Sequence, residues 1–187
     1  MTGPTGSASI AGMMIRPTSE SDWSALRAIR LRSLEDAPEA FGLRHIDALG
    51  FSEAQWRERA SATTSPWFWL AFEGPGEGAR PVGLVGGVVT GGDCELISMW
   101  VEPAARGSGV AAALVRQVLD HARSLGHRRV VLSVSPENRR ASRFYLGQGF
   151  GFLPERRPLE SHPSVIVQTM ALPLQAVPAW PGESVHE

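Results

Sequence analysis

The spacing of apolar positions changes along this chain from a helical period to a strand period and then alternates between the two. Near the start, Ser19 with Asp22 three residues on has the form of a capping box. Trp23, Leu26, Ile29, Arg30 and Leu34 behind it make a helical stripe that runs to about Ser33. Ser52 with Gln55 repeats the signal and opens a second helix carrying Trp56 and Ala60. Residues 36–50 between them are irregular and mixed in charge. They read as a helix–helix connection, with the border of a substrate site as the alternative.

From Trp67 the period shortens. Residues 67–72, 81–90 and 94–101 read as strands separated by glycine-rich turns, an antiparallel meander. Leu114, Val115, Val118, Leu119, Ala122 and Leu125 then line one face of a helix from Val110 to a stop at Gly126. Arg129–Val134 alternates as a strand reached by crossover, so it is expected parallel to 94–101. A short helix follows from Asn138 to Gly149, then two closing strands near 150–157 and 164–172. Ile15-Arg16-Pro17 reads as a short edge strand. The expected fold class is α/β (α+β): one domain over 14–173, between a loose leader at 1–13 and a flexible tail at 174–187. Its sheet is mixed but mostly antiparallel, with six to seven strands and about four helices.

Composition narrows the function classes without choosing one. With 187 residues and a formal net charge of −1, nothing pulls the chain toward nucleic acid or an acidic membrane surface. One cysteine, Cys94, excludes an intramolecular disulfide framework and fits a reducing compartment. No uncharged apolar run reaches the ~18 residues of a membrane span. Residues 1–12 lack the basic start of a signal peptide, and Met13 and Met14 offer alternative starts. The expectation is a cytoplasmic protein. The five histidines show no metal spacing, so no metal is expected.

The chemistry-bearing stretch is 94–126. A largely apolar strand ends at Pro103, and Gly107 and Gly109 open the helix that starts at Val110. Strand, glycine turn and helix N-terminus in that order form an anion site, because the first helical N–H groups lack partners and carry partial positive charge. Gly107-Ser-Gly-Val-Ala-Ala also matches the dinucleotide fingerprint in form. Yet Pro103-Ala-Ala-Arg intervenes after the strand, and the next strand ends in Ser133, Val134 and Ser135 where that fingerprint wants an acid. No Gly-Lys-Ser/Thr closes a P-loop. Glycines that merely make a tight turn are the plain alternative.

Val101-x-Pro103-x-x-Arg106-Gly107-x-Gly109-x-Ala111 resembles the acetyl-CoA motif R/Q-x-x-G-x-G/A of the GNAT-superfamily N-acetyltransferases. A second signature, Asn138-x-x-Ala141-x-x-Phe144-Tyr145-x-x-x-Gly149-Phe150, follows at the family's usual distance, and the resemblance covers roughly 14–172. It implies a sheet whose fourth and fifth strands, here 94–101 and 129–134, are parallel and splay apart. It further implies that main-chain groups of Met99, Trp100 and Val101 hold the pantetheine arm. Backbone N–H groups across Arg106, Gly107, Ser108, Gly109, Val110 and Ala111 would hold the pyrophosphate, with Asn138 near the pantetheine. Asn138 also reads simply as a helix N-cap.

Tyr145, the only tyrosine, matches the position where a phenol protonates the leaving sulfur; a core aromatic beside Phe144 is the alternative. Glu95 reads as an exposed strand-end charge, with a catalytic base as the candidate role where some relatives carry a glutamate, and Glu102 is a weaker candidate. Other relatives carry the base on the fifth strand, where this chain has Ser133. Trp67, Trp69 and Trp100 could line an acceptor pocket, though most tryptophans read as core or rim. Arg139, Arg140 and Arg143 could meet the CoA 3′-phosphate or form a solvated face. Cys94 reads as a buried thiol rather than a nucleophile.

The resemblance implies an acetyl-CoA-dependent N-acetyltransferase acting on a primary amine, small molecule or protein N-terminus, with a homodimer as the family habit. The alternative is an acyl-CoA-binding sensor or scaffold without turnover.

Overall fold

The computed structural model describes residues 3–174 apart from 5, 11, 75, 77 and 78. Eight strands form one sheet: β1 (Ala8–Ile10), β2 (Met13–Pro17), β3 (Trp67–Glu73), β4 (Arg80–Thr90), β5 (Asp93–Val101), β6 (Arg129–Val134), β7 (Gly151–Pro158) and β8 (Ile166–Pro173). They lie in the order β1-β2-β3-β4-β5-β6-β8-β7. Every pairing is antiparallel except β5 with β6. Among the described residues five α-helices flank the sheet: α1 (Trp23–Asp36), α2 (His45–Leu49), α3 (Glu53–Ala60), α4 (Val110–Ser124) and α5 (Arg139–Gly147).

The mixed, mostly antiparallel sheet agrees with the sequence reading, but its eight strands and five helices exceed the expected six to seven and about four. The additional strand, β1, lies in the stretch read as a loose leader. Ser9 pairs with Met14 and Ile10 with Met13, so β2 is an interior strand rather than the edge expected at 15–17. The tail, beyond Leu174, lies outside the described residues.

Alternation along β3 explains how the sheet is covered on both faces. Trp67, Trp69 and Ala71 pack with α4, while Phe68, Leu70 and Phe72 pack with α1 and α3. A strand buried on both faces reads as a continuous apolar run, which is how 67–72 appears in the sequence. Gly83 in β4 lets α4 settle closely: a Cβ there would stand 2.9 Å from Leu114 Cδ1. The Ser52 cap of α3 is reciprocal, with Gln55 N–H donating to Ser52 Oγ at 3.3 Å and Ser52 N–H to Gln55 Oε1 at 2.8 Å. At the start of α1 one 3₁₀ turn, Glu20–Asp22, intervenes. Its Asp22 accepts from Ser19 N–H and from Arg16 on β2, tying helix to sheet.

Candidate active site

The site begins where two strands part. β5 and β6 pair only at Cys94 with Val130 and Glu95 with Val131. Beyond Glu95 they diverge, and a groove of about 1480 Å³ opens between them.

The wall formed by β5 is irregular. Leu84 faces Trp100, but Gly86 faces Ile97, so β5 holds two residues, Ser98 and Met99, against the single Val85. This is a β-bulge, and Ser98 adopts φ +57° to make it. The extra residue reverses which face each side chain takes. Cys94 and Leu96 before it, and Met99 and Val101 after it, pack on the α4 side. Ile97 and Trp100 pack on the α1 side. Glu102 N–H donates to Val82 O, so the neighbouring Val101 directs its main-chain groups away from β4 and into the opening. Those of Trp100 face β4 instead.

On the α4 side the groove meets the glycine turn. Gly107 and Gly109 have φ of +83° and +86°, a region in which L side chains are strained. The backbone ladder of α4 starts with Ala113 N–H to Gly109 O, leaving the N–H groups of Val110, Ala111 and Ala112 at the helix mouth. A Cβ on Gly107 would meet no atom within 4 Å, so that position faces open space. Arg106, Gly107, Val110 and Ala111 line the groove; Ser108 and Gly109 do not, and Ser108 Oγ turns back to Ala105 O at 2.7 Å. The Arg106 guanidinium is engaged within the groove wall, donating from Nε to Val101 O and from Nη2 to Asp36, which leaves the Val101 N–H as the open main-chain group there.

From the β6 side come Asn138, Arg140 and Tyr145. Asn138 caps α5 by accepting from Ala141 N–H at 3.1 Å, so its side-chain oxygen already has a structural task. Tyr145 is buried between Phe144 and Phe150, with ring centroids at 5.2 and 5.8 Å. Burial alone pushes its phenol above the ordinary value, which keeps it protonated. Arg139 and Arg143 are exposed and do not line the groove.

Glu95 stands at the fork, half-buried, in alternation with the α4-facing Cys94 and Leu96. It therefore faces the α1 side, opposite to Tyr145, which packs with the α4 cluster. Glu102 is committed elsewhere, paired with Arg32 at 3.1 Å and Arg80 at 2.6 Å. Ser133 lines the groove and accepts from Arg157 at 3.2 Å. The Cys94 thiol is buried and pushed up to about 11, unsuited to nucleophilic attack.

Two sequence expectations change. Trp67 and Trp69 are core residues packed edge-on against His121 at 4.5 and 5.5 Å and do not line the groove, whereas Trp100 does. Residues 36–43 are more than a connection: they form the α1-side wall, with Asp36 and Phe41 in it. The β7–β8 loop reaches this wall through Ser161 Oγ, which donates to Phe41 O. Arg30 and Arg59, absent from the sequence-based site, line the same end. Arg30 was legible as a charge inside an apolar helical stripe.

Residues 26–152 match the family model described as Acetyltransferase (GNAT) family. An uncharacterized N-acetyltransferase of Mycobacterium tuberculosis is 45% identical over 58 residues, 31% of this chain. That match spans 37% of the relative's own length. An acetyltransferase of the GNAT family from Streptococcus pneumoniae superposes with a TM-score of 0.68 at 20% identity, covering 87% of this chain and 99% of that one. A putative acetyltransferase from Salmonella typhimurium, solved with its cofactor acetyl-CoA, gives 0.66 at 19% identity over 88% and 95% of the two chains.

Proposed function

Since this chain belongs to the GNAT acetyltransferase family, we propose that it transfers the acetyl group of acetyl-CoA directly to a primary amine. The observation that carries this reading is the convergence of the α4 mouth, the parted β5 edge and the Tyr145 phenol on one groove. The donor fits the α4 side. Free N–H groups of Val110, Ala111 and Ala112 and the open space at Gly107 suit a diphosphate. The Val101 main chain, turned into the opening, suits an extended amide arm that pairs like an added strand.

The amine enters from the α1 side, where Glu95 receives its proton directly or through water. A bond then forms between the amine nitrogen and the thioester carbonyl carbon, and the carbon–sulfur bond breaks. Tyr145, held protonated by burial, supplies the proton the sulfur takes, and the second proton that the acetylated nitrogen sheds restores the phenol. Acid and base on opposite faces of the sheet keep the two proton transfers apart. Holding both partners in one groove supplies proximity, the largest gain open to a direct transfer.

The test is thiol release from acetyl-CoA with a panel of amines. Release that depends on the amine supports the reading. Binding of acetyl-CoA with no release for any amine would leave a sensor or scaffold in its place.

A further inference from the structure

The α1-side wall of the groove holds two guanidinium groups that no carboxylate neutralises among the described residues. Arg30 is 8% exposed, lies 4.5 Å over the Phe41 ring, and has one hydrogen bond, from Nη1 to Ser33 Oγ at 3.3 Å. Arg59 lies 4.4 Å over the Phe51 ring. Among the described residues neither takes part in an ion pair. Burial pulls the Arg30 guanidinium down to about 10, and the neighbouring Arg59 charge pulls in the same direction. Burial lowers Arg59 too, against a weaker pull upward from the exposed Glu58.

A buried cation without a counter-ion is costly, and the charge of the half-buried Arg59 nearby adds to the cost at Arg30. The acids of this wall do not relieve it. Asp36 is already shared between Trp100 and Arg106, and Glu39 and the loop residue Glu160 are exposed and pair with neither arginine. Trp56, in the same wall, adds a buried indole N–H with no acceptor among the described residues. Two guanidinium groups without a counter-ion and one indole N–H without an acceptor, among the described residues, thus line one end of a groove. Stacking on Phe41 and Phe51 holds the two guanidinium planes in place, which lowers the entropy lost when an anion binds.

We propose that Arg30 and Arg59 form an anion subsite and that the amine acceptor is a free amino acid, whose carboxylate they bind. The inference rests on the transferase reading above for the amine, and on the wall's own chemistry for the carboxylate. The planar guanidinium fork matches a carboxylate in two parallel hydrogen bonds. With Glu95 at the fork of β5 and β6 and the arginines on the α1-side wall, the groove presents a negative group for the ammonium and positive groups for the carboxylate.

Two measurements test this. The first compares thiol release for a panel of L-amino acids with their amides, which keep the amine and side chain but lose the negative charge. The acids should exceed the amides in kcat/KM by about tenfold or more, and Arg59→Gln should bring the ratio near unity. Amides that serve equally well, or a preference that survives Arg59→Gln, overturn the proposal while leaving the transferase intact.

The second is calorimetric binding of N-acetyl-L-amino acids, which needs no turnover. Native protein should bind at least one of them, and Arg59→Gln and Arg30→Lys should each weaken it. Such binding without thiol release for any amine would keep the anion subsite and remove the transferase reading. No binding, or binding indifferent to both substitutions, removes the subsite.

Discussion

The carboxylate of Asp36 accepts the indole N–H of Trp100 at 2.9 Å, joining the last residue of α1 to the strand that walls the groove. The same oxygen accepts from Arg106 Nη2 at 2.9 Å, and Arg106 Nε donates to Val101 O at 2.8 Å. These bonds hold the Asp36 carboxyl below its usual range, the indole bond first. One carboxylate therefore aligns the helix end, the β5 wall and the loop before α4.

Asp36→Ala leaves the indole of the buried Trp100 without its acceptor and frees Arg106. We expect a loss of about 1–3 kcal/mol in urea unfolding, the cost of an unsatisfied buried donor, with a higher KM for acetyl-CoA. Asp36→Asn, which keeps an acceptor oxygen, should lose less. An unchanged unfolding midpoint for the alanine variant would show that the network does not support the wall.

Tyr145→Phe keeps the packing against Phe144 and Phe150 and removes the phenol proposed as the proton donor. Turnover should fall by about 10²-fold or more, with acetyl-CoA affinity unchanged. Because burial raises the phenol above its ordinary 10.0, it stays protonated through neutral and mildly alkaline solution. Any alkaline loss of kcat due to Tyr145 must then lie above pH 10. A fall centred at about pH 8–9 that vanishes in the Phe variant would contradict this assignment.

Gly107 and Gly109 separate two costs. Alanine at 107 meets only backbone strain, about 1 kcal/mol, because no atom lies within 4 Å of its Cβ. At 109 the new Cβ also stands 3.1 Å from Ile10 Cδ1, so Gly109→Ala should be the less stable variant. Gly107→Ala should weaken acetyl-CoA binding beyond its small effect on stability. Calorimetry giving native affinity would place the diphosphate elsewhere.

Ser98→Val is a mild change in an ordinary strand, but a β-branched residue at φ +57° is strained. We expect about 1–2 kcal/mol of lost stability, and none from the reference substitution Ile97→Val beyond a lost methyl group. Equal effects at both positions would argue that the bulge relaxes without cost.

Much of this architecture was legible because it rests on local chemistry. The Ser52–Gln55 cap needs only residues three apart, and the α4 stripe from Leu114 to Ala122 needs only the helical period. The crossover from β5 to β6 through α4 dictates their parallel pairing. The glycine turn before Val110 was recognisable for the same reason, since positive φ at Gly107 and Gly109 is a property of the residues themselves.

The remainder depended on contacts between distant segments. Strand β1 exists because Ile10 finds Met13 across a turn and packs beside α4, which no periodicity in a three-residue strand announces. The bulge at Ser98 is a matter of register against Val85, and one inserted residue decides which side chains of 97–101 face which helix. Arg30 carries an ordinary helical spacing, and only the fold buries it on Phe41 in the groove wall beside Arg59. By itself, then, the sequence determined most of the elements and the glycine turn before α4, because caps, periods and glycine conformations are set within a few residues. The tertiary structure alone decided the shape and charge of the α1-side wall, because those come from residues 30, 36, 41, 59 and 161 meeting on one face of the sheet.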